Sequence, residues 1–135
     1  MNGLANFILK HHEWCRNLNP EIFQGWLGWH VHNGFVIRAL DDNENTVGVG
    51  IVRPVMSADD ANDFYEFDPE GSVLFIDLLI CEHPSAMQAI GLGVLQRFGM
   101  REWVAWKRPP FYVVKIHSAA RLRRHLFRKA MSYGR

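Results

Sequence analysis

The sequence predicts an α/β fold of the α+β kind, one mixed sheet with helices on its faces. Three observations carry that prediction. Apolar residues recur at three- and four-residue spacing near both ends of the chain. "FVIRAL" and "TVGVGIVRPV" flank the polar cluster "DDNEN". "SVLFIDLLIC" is apolar on both faces and precedes a helical stretch and another strand, the order of a parallel crossover. The 135 residues fit one core, so 1–135 is read as a single domain.

Leu4, Phe7, Ile8, His11, Cys15 and Leu18 share a helical stripe, which predicts one amphipathic helix. Asn19 and Pro20 then read as an N-cap and first helical position, and "HNG" closes that second helix with Gly34 free to take a positive φ. A hairpin follows around "DDNEN". Gly48 and Gly50, inside its second strand, imply a bulge or a close approach by another element. Residues 56–71 form an acidic excursion with one helical turn from Ser57. "SVLFIDLLIC" is the central strand. "EWVAWK" and "FYVVKI" are strands separated by "RPP", and Ser118 caps a last helix with Ala119, Leu122, Leu126 and Ala130 inward.

Hydrophobic residues at 48% and charged residues at 21% are ordinary for a globular chain. No apolar run approaches the roughly 20 residues of a bilayer span, and the N-terminus is too polar for a signal peptide. Cys15 and Cys81 lack metal or redox spacing, so a reduced, cytoplasmic setting is expected. Charge is unevenly placed. Residues 1–100 hold five Lys and Arg against thirteen Asp and Glu; residues 101–135 hold ten against Glu102 alone. Such asymmetry steers an anionic partner, or folds one half against the other.

The segment Gln88-Ala89-Ile90-Gly91-Leu92-Gly93 allows two readings. It follows a strand and His83-Pro84, and precedes a strand. In one reading the helix starts at Pro84, runs through Phe98, and carries Gly91 and Gly93 as packing glycines. In the other, the segment resembles the Gln/Arg-x-x-Gly-x-Gly/Ala phosphate loop of the GNAT-type acyltransferases, over roughly Thr46 to Lys107. That resemblance implies a GNAT-like fold of about five strands, with an N-terminal helix pair, one central crossover helix and a C-terminal helix. It implies acyl-coenzyme A as co-substrate, its pyrophosphate held by backbone N–H groups of Gln88, Ala89, Ile90, Gly91 and Gly93 at a helix N-terminus. The layout, with Phe75-Ile76-Asp77 in the central strand, also resembles the toxin-activating lysine acyltransferases. That branch relies on a His soon after the first helix and an acid before the central strand. Here Cys15 and Arg16 occupy the former place with His11 and His12 close by, and Glu66 or Asp68 the latter.

The function implied is transfer of an acyl group from a coenzyme A or carrier-protein thioester to a small-molecule or protein amine. The alternative is a GNAT-like subunit without catalysis that serves in binding or assembly, for example in a phage particle or another large complex. Asp77, a carboxylate inside an apolar strand, is the candidate base, or else a structural Asp paired with an arginine. Glu82 and His83 stand where the central strand ends, where α/β folds place ligands, or form a polar turn. Tyr112 is a candidate proton donor to the leaving thiolate, or packs. Arg121, Arg124 and Arg128 share a helical face that suits the 3′-phosphate of coenzyme A or an acidic protein partner, or is simply solvated. No stacking motif accompanies them, so sequence-specific nucleic-acid reading is not expected, nor is membrane association. His11, His12, His30 and His32 lack a completing Cys or carboxylate, so no metal site is assigned.

Overall fold

The computed structural model describes residues 2–62, 64–108 and 113–118. The chain enters through α1 (Asn2–His11) and α2 (Glu13–Asn17). The single helix expected here is broken at His12, whose φ of −125° and ψ of 106° are extended. The break keeps Cys15 buried while Trp14 turns outward. Asn19 caps α3 (Pro20–His32) by accepting from the Glu21 N–H at 2.8 Å, with Pro20 at the first position. Gly34, at φ 76°, ends it.

The hairpin joins β1 (Val36–Leu40) to β2 (Thr46–Val55). In its turn the Asp41 carboxylate accepts from the Asn43 and Asn45 N–H groups. A 3₁₀ turn (Ala58–Asn62) opens the acidic excursion, which leads into β3 (Val73–Cys81). Helix α4 (Pro84–Phe98) crosses over to β4 (Trp103–Arg108), and β5 (Val113–Ser118) returns beside it. The sheet order is β1-β2-β3-β4-β5. Only β3 and β4 run parallel, so the sheet is mixed, with helices on both faces. The helix expected from Ser118 lies outside the described residues.

One face of the sheet carries α1 and α3. Leu4, Phe7, Ile8, Phe23, Trp26 and Leu27 pack there against Val49, Ile51 and Leu78. The other face carries α4, whose Ala86, Ile90, Val94 and Phe98 lie on Ile37 and Ala39. Those four residues are spaced by four, the stripe of one helix that starts at Pro84. The helix lies so close that a Cβ on Gly50 would stand 2.7 Å from Ile90 Cγ2, and one on Gly48 3.0 Å from both Ala86 and Ile90. The close approach expected at these glycines is therefore α4 itself. Gly93 answers from the helix side: a Cβ there would lie 2.7 Å from Ile37 Cγ2.

Gly50→Ala and Gly93→Ala are expected to cost about 1–3 kcal/mol each, because the opposing isoleucines are stiff at χ1. Gly91, with nothing within 4 Å of its added Cβ, behaves oppositely: Gly91→Ala should stabilise by up to about 1 kcal/mol. Urea unfolding of the three variants checks the contrast.

Candidate functional site

Strand β2 holds an arginine where an apolar residue is the default. Arg53 of β2 is 2% exposed. Its Nε donates to Asp77 Oδ2 at 2.9 Å, its Nη1 donates to the Glu66 carbonyl at 2.6 Å, and its guanidinium lies over the Phe75 ring. A buried charge is tolerable only when paired and hydrogen-bonded, and these contacts meet that condition. Asp77 stands at an irregularity in the ladder. Ile51 pairs with Leu78 but Val52 pairs with Ile76, so Asp77 is an extra residue in β3. A bulge of this kind re-aims side chains. By alternation from Phe75, which pairs with Arg53, Asp77 lies on the α3 face, and the bulge brings its neighbour Leu78 to that face as well.

There it meets His30 of α3, whose Nε2 lies 3.5 Å from Asp77 Oδ2. The Nδ1 of His30 is 2.7 Å from the Trp26 carbonyl, and a carbonyl only accepts, so Nδ1 is the donor. Asp77 is thus hydrogen-bonded by the Arg53 guanidinium, and the His30 imidazole stands beside it with no hydrogen bond from Nε2. Of the two readings of Asp77, the arginine-paired one matches the contact with Arg53.

The second feature is the junction of β3 and β4. Their parallel ladder runs from Val73↔Trp103 to Ile76↔Trp106 and stops at the bulge, while β3 continues to Cys81. The Glu82 N–H donates to Val47 of β2 at 2.9 Å. By alternation Ile80 also turns its polar backbone to β2, and Leu79 and Cys81 turn theirs to the opposite edge. Among the described residues no strand pairs with that edge beyond Ile76.

At the end of this edge the fold gathers Glu82, His83 and His11. His11 Nε2 lies 3.6 Å from Glu82 Oε1, and both side chains are partly exposed. The His11 ring rests on Phe7, 4.7 Å between centroids. His83 takes the N-cap position of α4 without a capping bond from its side chain; its Nδ1 pairs with Ser85 Oγ. The structure therefore brings Glu82 together with a histidine 71 positions earlier in the sequence. Helical periodicity had marked His11 only as part of a stripe. Asp68, the acid sought before the central strand, instead accepts from the Glu70 N–H, and the Glu66 carbonyl serves Arg53.

The phosphate loop is not what the segment forms. Gln88, Ala89, Ile90, Gly91 and Gly93 sit inside the continuous helix α4, beyond its first turn. Interior helix N–H groups are bonded to carbonyls four residues back and cannot cradle an anion. Ile90 is buried against the sheet, and Gly93 is a packing glycine. The two readings differ only in where the helix begins, and Pro84 decides it. Tyr112, Arg121, Arg124 and Arg128 lie outside the described residues.

Burial pushes the Cys15 thiol up to about 11 and also raises Cys81. His12 is lowered, first by burial and then by Arg16. Asp41 is lowered chiefly by the Asn45 N–H. Among the described residues no group of three His, Cys, Asp or Glu could hold a metal ion, and no helix is long and apolar enough to cross a membrane. No protein-family model and no curated protein sequence matches this chain.

Two outcomes follow. Asp77→Ala removes the carboxylate that accepts from Arg53 Nε and should cost about 1–3 kcal/mol, with Asp77→Asn costing less; denaturant unfolding measures both. The buried Cys15 thiol stays protonated in the folded state, whereas an unfolded chain ionises it from the ordinary value of 9.0. Its contribution to stability is full below pH 9 and is lost as pH rises towards about 11. The decline of unfolding free energy over that window should be shallower in Cys15→Ala.

Proposed function

We propose that this chain has a GNAT-like fold and transfers an acyl group from a coenzyme A or carrier-protein thioester to an amine. The observation that carries this reading is the β3 edge beyond Ile76, which no strand among the described residues pairs with and which ends at the His11–Glu82 pair. Both donor types end in the same phosphopantetheine arm, an extended chain with two amides. Such an arm can add to an open strand edge through main-chain hydrogen bonds. The N–H groups of Leu79 and Cys81 face that edge and are placed to polarise a thioester carbonyl.

His11 handles the proton. Glu82 beside Nε2 favours the tautomer protonated there and leaves Nδ1 as acceptor. As the amine nitrogen attacks the carbonyl carbon, its proton passes to His11 Nδ1. The C–S bond then breaks, and the thiolate takes the proton to leave as a thiol. The amide and the thiol balance the reaction.

The second reading is a GNAT-like binding or assembly subunit without catalysis. It is favoured by the closed helix α4, which offers no glycine loop to the phosphates of coenzyme A. The test therefore uses S-acyl N-acetylcysteamine, which keeps one amide and the thioester but has no phosphate. Thiol release in the presence of an amine panel, followed by mass spectrometry of the amides, measures transfer. Rates well above buffer are expected, falling about 10²–10⁴-fold in His11→Ala, the usual worth of a general base. Glu82→Gln should lose less. Release no faster than buffer with both this donor and acyl-coenzyme A would leave the assembly reading.

A further inference from the structure

The acidic excursion between β2 and β3 has an exposed face that the transfer reading leaves unused. Phe64 is 67% exposed, Met56 56% and Tyr65 45%, and Phe67 is exposed beside them. Single exposed apolar residues are normal, but four on one segment mark an interaction surface. Asp59, Glu66 and Glu70 are exposed around them, with Asp60 and Asp68 half-buried, and residues 56–72 contain no Lys, Arg or His.

This face is anchored from beneath. Tyr65 and Phe67 lie edge-on to Trp29 at 4.9 and 5.6 Å, and Phe67 meets Phe35 at 5.2 Å. The buried Arg53 holds the Glu66 carbonyl, and the Asp68 N–H donates to Pro54 at 2.9 Å. Tyr65 keeps a φ of 68°, a left-handed conformation that a residue with a Cβ rarely adopts. The segment is thus set in place before any partner arrives, and its aromatic rings stay outward at low ordering cost on binding.

We propose that this face docks a basic amphipathic peptide segment of a protein partner. Charge complementarity selects that occupant. Among the described residues the exposed carboxylates of Asp59, Glu66 and Glu70 are in no ion pair, and such a face repels nucleic acid and anionic lipid and attracts Arg and Lys. The exposed rings accept the partner's apolar side chains and also the faces of its guanidinium groups. The surface stands independently of the transfer reading, since none of its residues belongs to the β3 edge or to the His11–Glu82 pair.

The test is a titration of the intact protein with the nonapeptide RLFRKLFRK, followed by NMR. Amide shifts should concentrate on residues 56–70 and Trp29. Phe64→Ser and the pair Glu66→Lys with Glu70→Lys should each weaken binding by about tenfold or more, the loss of one good contact or more. All three positions are exposed, so thermal unfolding should hardly move and reports any variant that fails to fold. Raising salt should weaken the wild type and leave the charge-reversed variant little changed. Binding that survives these substitutions, shifts that fall elsewhere, equal binding of the acidic peptide ELFEELFEE, or no binding at millimolar peptide would overturn the proposal. Self-association lost in Phe64→Ser would also overturn it and put a second copy of the chain in the partner's place.

Discussion

The ion pair between Arg53 and Asp77 sets the conditions for much of this molecule. A guanidinium 2% exposed in the middle of a sheet requires a carboxylate and carbonyls around it. Asp77, two residues beyond Phe75 and so on the same face of β3, supplies a carboxylate. His30 of α3 stands 3.5 Å from that carboxylate, while the other arm of the guanidinium holds the excursion at Glu66. Two well-packed apolar residues can serve stability as well or better. What they would not reproduce is the fixing of β3 and the excursion from one buried point.

The bulge at Asp77 marks where β3 and β4 part. Up to Ile76 the strands share a ladder; from Asp77 onward β3 is bonded to β2 alone among the described strands. On the opposite face α4 needs Gly48 and Gly50 beneath it and offers Gly93 in return. The sheet is thus held tightly on its β1–β2 side, and among the described residues β3 and β4 are not paired with each other beyond Ile76 and Trp106. An open edge between two otherwise well-ordered strands is a place for an extended ligand.

Much of the fold was legible from local pattern. The β1–β2 hairpin was visible from its turn chemistry, β3 from an apolar run on both faces, and α3 from Asn19, Pro20 and Gly34. The break at His12 was not, because no glycine or proline marks it and the stripe of apolar residues runs through it. The glycines of α4 were ambiguous for a physical reason. Glycine permits close approach whether the neighbour is a phosphate or an isoleucine, and the sequence alone does not say which. Glu82 was legible as a strand-end residue, but its meeting with His11 depends on how α1 crosses the sheet. The register shift beside Asp77 has no local signature, and the partner of Asp77, Arg53, lies 24 residues away.

The open edge is the claim on which the functional account rests, and native-state amide hydrogen exchange at β3 tests it most directly. Ile80 and Glu82 direct their N–H groups to β2, whereas Leu79 and Cys81 direct theirs to the unpaired side. The account predicts slow exchange at Ile80 and Glu82 and markedly faster exchange at Leu79 and Cys81, an alternation inside one strand. Equal protection of all four amides would mean that the edge is already bonded, and would contradict it.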